Sequence, residues 1–222
     1  MATTRKKTKK EIVTDDNIII SYMNEVLQNN EEPKNIFVFC QKTGIDETDF
    51  YSFFGSFDSL KQTIWLRFFE NTVGAINQDT KFDDYSNRNK LLTLYFTLFE
   101  VLTLNRSFVL FYFKDKKEGF QNLKNLKQFR SHFKNFVEEK CTQKGNIISE
   151  KLTKVKETTF SEGAWVQFLF LLKFWLEDTS KGFEKTDVLI EKSVNTVMDL
   201  LDTKHLENII DLGKFLWKEK FN

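Results

Sequence analysis

The chain has 222 residues, 41% of them hydrophobic, with 33 Lys and Arg against 32 Asp and Glu. One proline and eight glycines exclude a turn-rich β fold and favour helices. Two cysteines far apart, Cys40 and Cys141, exclude a disulfide framework or a metal knuckle, so a reducing cytoplasm is expected. Five cations, Arg5, Lys6, Lys7, Lys9 and Lys10, sit in the first ten residues, and beyond them 28 basic residues face 32 acidic ones. The body is therefore not a basic protein, and charge alone would attach only the N-terminal segment to phosphates.

In chain order, residues 1–11 read as a basic disordered arm, with no secretory apolar region behind it. From Asp15 to Asn29, Ile18, Ile19, Tyr22, Met23, Val26 and Leu27 recur at helical spacing, as in a support helix. Pro33 is expected to start the next helix, whose buried face would be Ile36, Phe37 and Cys40. Gly44 ends it, Asp46 is the expected N-cap of a short helix with Phe50, Phe53 and Phe54 inward, and Ser56 or Asp58 opens a long helix to about Gln78. Helix, glycine turn, helix is the helix-turn-helix signature.

The run Thr43-Gly44-Ile45, then Phe50-Tyr51-Ser52-Phe53-Phe54, then Ser56 and Leu60 resembles the DNA-binding segment of the TetR repressor family. The resemblance implies an all-α, TetR-like fold: an N-terminal three-helix helix-turn-helix head over residues 12–60 on a larger C-terminal helical ligand-binding and dimerisation body over 61–222. It departs from the family where DNA is read. Asp46, Glu47 and Asp49 replace small, basic or hydroxyl residues, and Ser52 replaces a common histidine. The DNA-contacting positions it implies are Lys42, Thr43, Thr48, Tyr51, Ser52 and Lys61, joined by Arg5, Lys6 and Lys7 of the arm.

Beyond a polar boundary at 79–89, the stretches 91–104 and 108–113 are apolar all round, interrupted by Glu100 and by Asn105-Arg106-Ser107. That pattern fits helices buried in a bundle better than a membrane span. Further helices are expected over 120–145, 161–178, 183–201 and 205–221, with 146–158 a loop or a helix extension. Glu100 and Arg106, with Tyr95, Tyr112, Trp165 and Gln167, are the residues expected to line an apolar ligand site. Phe168, Leu172, Ile190, Val194, Val197 and Leu201 are expected at a homodimer interface, so that a charge at Val194 would split the dimer. Asp178, Ser180, Phe183, Thr186 and Leu189-Ile190 also resemble a segment of the lipid-binding ubiquinone-biosynthesis accessory proteins, which share the TetR fold. There the motif reads as a capped turn with Ser180 as N-cap.

No phosphate loop, CxxC or HExxH occurs, and neither His132 nor His205 has a ligand-spaced neighbour. No enzyme chemistry, cofactor or metal is expected. Two functions follow. One is a dimeric regulator that binds DNA and responds to a small apolar ligand. The alternative is a TetR-fold lipid or isoprenoid binding protein that has lost DNA. In the second case Leu206, Ile209, Ile210, Leu216, Trp217 and Phe221, with Lys214, Lys218 and Lys220 nearby, would make a peripheral membrane contact.

Overall fold

The computed structural model describes residues 13–114, 123–142 and 150–202. The described chain is all-α, TetR-like in its element order, and contains no strand. Among the described residues nine α-helices run α1 Asp15–Asn29, α2 Ile36–Thr43, α3 Glu47–Phe53, α4 Phe57–Ile76, α5 Asn87–Leu104, α6 Arg106–Tyr112, α7 Lys127–Lys140, α8 Glu150–Glu177 and α9 Glu184–Asp202. Short 3-10 turns occupy Phe82–Asp84, Leu123–Leu126 and Lys181–Phe183. The described residues divide into two compact units. One holds residues up to Leu66 with Asn105–Gln128, and the other holds Arg67–Leu104 with Phe129 onward. The expected boundary at residue 60 lacks the return of α6 to the first unit, where it packs on α1.

In the first unit the helix starts follow from side-chain caps. Thr14 and Asn17 cap α1 reciprocally, each backbone N–H donating to the other side chain at 3.2 Å. Asn35, not Pro33, opens α2, its side chain accepting from the Val38 N–H at 2.9 Å. Ser56 opens α4 in the same reciprocal way with Ser59, at 3.1 Å in both directions. The core is aromatic: Tyr22, Phe39, Phe50 and Phe57 meet at ring-centroid distances of 5.3–6.1 Å. Burial of a ring such as Phe39 stabilises by roughly 1.5–3 kcal/mol.

Two expected faces are corrected here. Phe39 and Cys40 are the buried residues of α2, while Phe37 is exposed; Phe50 and Phe54 are buried beside α3, while Phe53 is exposed. The reason is angular. Phe39 lies about 200° round the helix from Phe37, so the rotation that buries Phe39 and Cys40 carries Phe37 outward.

In the second unit α5, α8 and α9 pack together around Phe99, Phe168 and Trp175, with Phe129 and Phe133 of α7 against Trp165. Of the polar stretch 146–158, residues 150–158 are helix extension, since α8 runs unbroken for 28 residues from Glu150; residues 146–149 lie outside the described residues. Arg130 and Lys134 of α7 both donate to Glu162 of α8. Arg88 of α5 donates to Asn195 at 2.9 Å and to Asp199 of α9.

Candidate functional site

The helix-turn-helix is built by α2, the turn at Gly44 and α3. Gly44 has φ +72 and its N–H donates to the Cys40 carbonyl at 2.9 Å, so it closes α2 in the left-handed region that side chains disfavour. Asp46 then stands at the N-cap of α3 with no side-chain capping bond. Thr48, Tyr51 and Ser52 are exposed on α3, Tyr51 resting edge-on against Phe50 at 5.6 Å. The Ser52 hydroxyl donates to the Asp49 carbonyl at 2.7 Å, and that of Thr43 to the Phe39 carbonyl at 2.8 Å. Both hydroxyls are thus engaged with backbone.

The two described lysines expected to reach phosphates are paired internally. Lys42 binds Glu25 at 2.5 Å, and Lys61 binds Glu32 at 3.1 Å and Asp58 at 3.2 Å. Arg5, Lys6 and Lys7 lie outside the described residues. Beside the turn is a hollow of about 370 Å³ lined by Phe37, Cys40, Gln41, Gly44, Ile45, Asp46 and Glu47. Burial, and then the carboxylates of Glu47 and Asp46, push the Cys40 thiol up from its ordinary value. The field on this side of the head is negative.

The residues expected to line one ligand site are divided between the two units. Tyr95, Trp165 and Gln167 are buried in the second unit, where the Tyr95 hydroxyl donates to the Ala164 carbonyl at 2.7 Å and lies 3.2 Å from Gln167 Oε1. Gln167 Nε2 donates to Ser193 Oγ at 2.9 Å, which ties α5, α8 and α9 into one chain of bonds. Burial holds the Tyr95 hydroxyl well above its ordinary pKa. Arg106 and Tyr112 belong to the first unit. There burial pushes the Tyr112 hydroxyl up to about 12, against the opposing hydrogen bonds from Asn125 and Trp65. Glu100 is exposed on α5. A carboxylate in water needs no buried partner, so it leaves the expected site.

The expected interface also needs correction. Phe168, Leu172, Ile190 and Val194 are buried within their own unit, and Val197 is half-buried. A side chain enclosed by its own chain offers a partner no surface. The uncovered apolar residues are instead Val166, Phe170 and Phe174 of α8, 63%, 54% and 38% exposed, and Val188 of α9 at 48%. Their four-residue spacing on α8 makes one stripe, which was missed because the segment from Trp165 to Leu176 is apolar nearly all round. The side chain of Leu201 and the whole segment 205–221 lie outside the described residues.

The turn between α8 and α9 shows what the second motif does. The buried Asp178 carboxylate accepts from the Ser180 N–H and hydroxyl at 2.8 and 2.7 Å, and from the Thr186 N–H and hydroxyl at 3.0 and 2.6 Å. Burial works against its charge, but the bonds from Thr186 and Ser180 outweigh it and hold the carboxyl well below the usual range. Phe183, at φ +61, packs on Trp175 at 6.0 Å. Ser180 makes no side-chain cap within the 3-10 turn, but its hydroxyl accepts from the Lys185 N–H in the first turn of α9 at 3.2 Å, as expected of it; the hub of the turn is Asp178.

A family model described as tetracyclin repressor-like, C-terminal domain, matches residues 90–216, more than half of the chain. The chain belongs to the tetracycline repressor-like family. In general terms it is a TetR-like regulator. The match covers the motif around Asp178, which is therefore compatible with a regulator's C-terminal domain. No curated protein matches the chain. Among the described residues no single helix is long and apolar enough to cross a membrane, and no three His, Cys, Asp or Glu residues gather where a metal ion could be held.

Proposed function

We propose that this TetR-like protein is a homodimeric transcriptional regulator whose paired helix-turn-helix units read a palindromic site and respond to a small apolar ligand. The observation that carries the reading is the α2–Gly44–α3 unit, whose third helix leaves Thr48, Tyr51 and Ser52 open to solvent. Half-sites about 34–36 Å apart would suit two such helices in successive major grooves. The stripe of Val166, Phe170 and Phe174 with Val188 is the surface through which two copies would meet. Ligand entry would act on the α5–α8–α9 packing held by Tyr95, Gln167 and Ser193, because an inserted apolar molecule must displace or replace those bonds.

A second reading, a TetR-fold lipid or isoprenoid binding protein without DNA, is favoured by one observation. Lys42 and Lys61 are both held by carboxylates, and Asp46, Glu47 and Asp49 surround the start of α3. Mobility shift of the chain's own upstream DNA at low salt separates the two: retardation supports the regulator, and its absence leaves the binding protein. Light scattering tests the dimer, and a monomer at micromolar concentration would remove it.

A further inference from the structure

The outer surface of the helix-turn-helix carries more aromatic area than its own packing uses. Phe37 of α2 and Tyr51 of α3 are 54% and 53% exposed. Phe37 walls the hollow beside the turn, with Ile45 as a second apolar surface and Asp46 and Glu47 at the start of α3. Glu47 and Tyr51 lie four residues apart and so share one side of α3. Lys42 is engaged by Glu25, and Lys61 by Glu32 and Asp58, while Lys34 stands exposed before the start of α2. A hollow that sets Phe37 and Ile45 beside carboxylates repels phosphate and suits a cation carried on an alkyl stem.

We propose that this hollow docks a lysine- or arginine-bearing peptide segment of a partner protein. The stem would cover Ile45, the cation would sit over the Phe37 ring, and Asp46 and Glu47 would accept its N–H groups. Arginine fits better than lysine because its planar head can stack and pair at once. The proposal stands apart from the DNA reading. A peptide bound here covers the first turn of α3, so a regulator would lose access to DNA, while a protein without DNA would keep the same contact.

Fluorescence anisotropy with a labelled octapeptide of alternating arginine and leucine, and the full chain at about 50 mM salt, tests it. Saturable binding is expected, weaker by about tenfold in the Asp46→Asn/Glu47→Gln double variant and about threefold in Phe37→Ala. Glu191→Gln, which removes an exposed carboxylate of α9, should leave binding unchanged, and an alternating glutamate–leucine peptide should not bind. Unaltered circular dichroism for each variant shows that the fold is kept. No saturation up to about 1 mM, or equal weakening by Glu191→Gln, would overturn the proposal. Deleting residues 1–10 tests the other occupant: unchanged affinity supports a partner, whereas a tenfold gain would assign the hollow to the chain's own basic segment and reject the partner.

Discussion

Asp178 gathers four hydrogen bonds from two residues that the sequence separates by six positions. Removing the carboxylate leaves the buried Thr186 hydroxyl and N–H without their acceptor. Asp178→Ala should therefore cost about 2–3 kcal/mol in urea unfolding. The pH dependence has a definite sign. Because the folded carboxyl titrates below its ordinary value of 3.8, its stabilisation is present above that value and is lost as pH falls through the folded value. Wild-type stability should thus drop between about pH 5 and 2, and Asp178→Asn should flatten that part of the curve. Equal slopes in the two proteins would remove Asp178 from the account. The motif was legible in the sequence, but its centre was not. A serine before a helix suggests a cap, whereas an aspartate two residues earlier becomes the hub only once the turn folds back on it.

At the scale of elements, helix existence was legible and helix rotation was not. The periodicity of α1 gave both its ends, because Thr14 and Asn30 bracket an unbroken apolar stripe. In α2 the rings of Phe37 and Phe39 lie about 200° apart on the helix, and spacing alone did not say which of them the core would cover. From Trp165 to Leu176 of α8 nearly every position is apolar, so no stripe stands out, and burial had to decide between Phe168 and Phe170. Opposite outcomes follow for the two classes of residue. Phe170→Arg should convert a dimer to a monomer with its helicity intact, read by light scattering and circular dichroism. Val194→Asp should instead unfold the protein, because an unpaired charge would be buried in the core. A folded Val194→Asp monomer would restore the original interface. The turn gives a milder test. Gly44→Ala meets no neighbour within 4 Å, so its cost is backbone strain alone, about 1–2 kcal/mol in urea unfolding.

For the whole molecule the question is whether a head with an acidic approach to DNA can hold it. The fold was legible because glycine and aromatic positions make a helix-turn-helix, and those positions resemble the pattern of the family whose C-terminal domain model matches residues 90–216. Use of the fold was less legible, because polar positions can change without disturbing the core. The described lysines near the turn are committed to Glu25, Glu32 and Asp58, so in a regulator most phosphate contacts would fall to Arg5, Lys6, Lys7, Lys9 and Lys10. Each phosphate neutralised contributes about −0.9 to the slope of log affinity against log salt. Deleting residues 1–10 should then flatten that slope by several units in a mobility-shift titration and nearly abolish binding. Glu25→Gln should act in the opposite direction by releasing Lys42, adding about one unit of slope. Asp46→Ser with Glu47→Lys should strengthen binding to unrelated sequences, since it removes two repulsions and supplies one contact. A wild-type chain that never retards its own upstream DNA, together with an Asp46→Ser/Glu47→Lys variant that does, would identify a head that is able to bind DNA but is held off it by those two carboxylates.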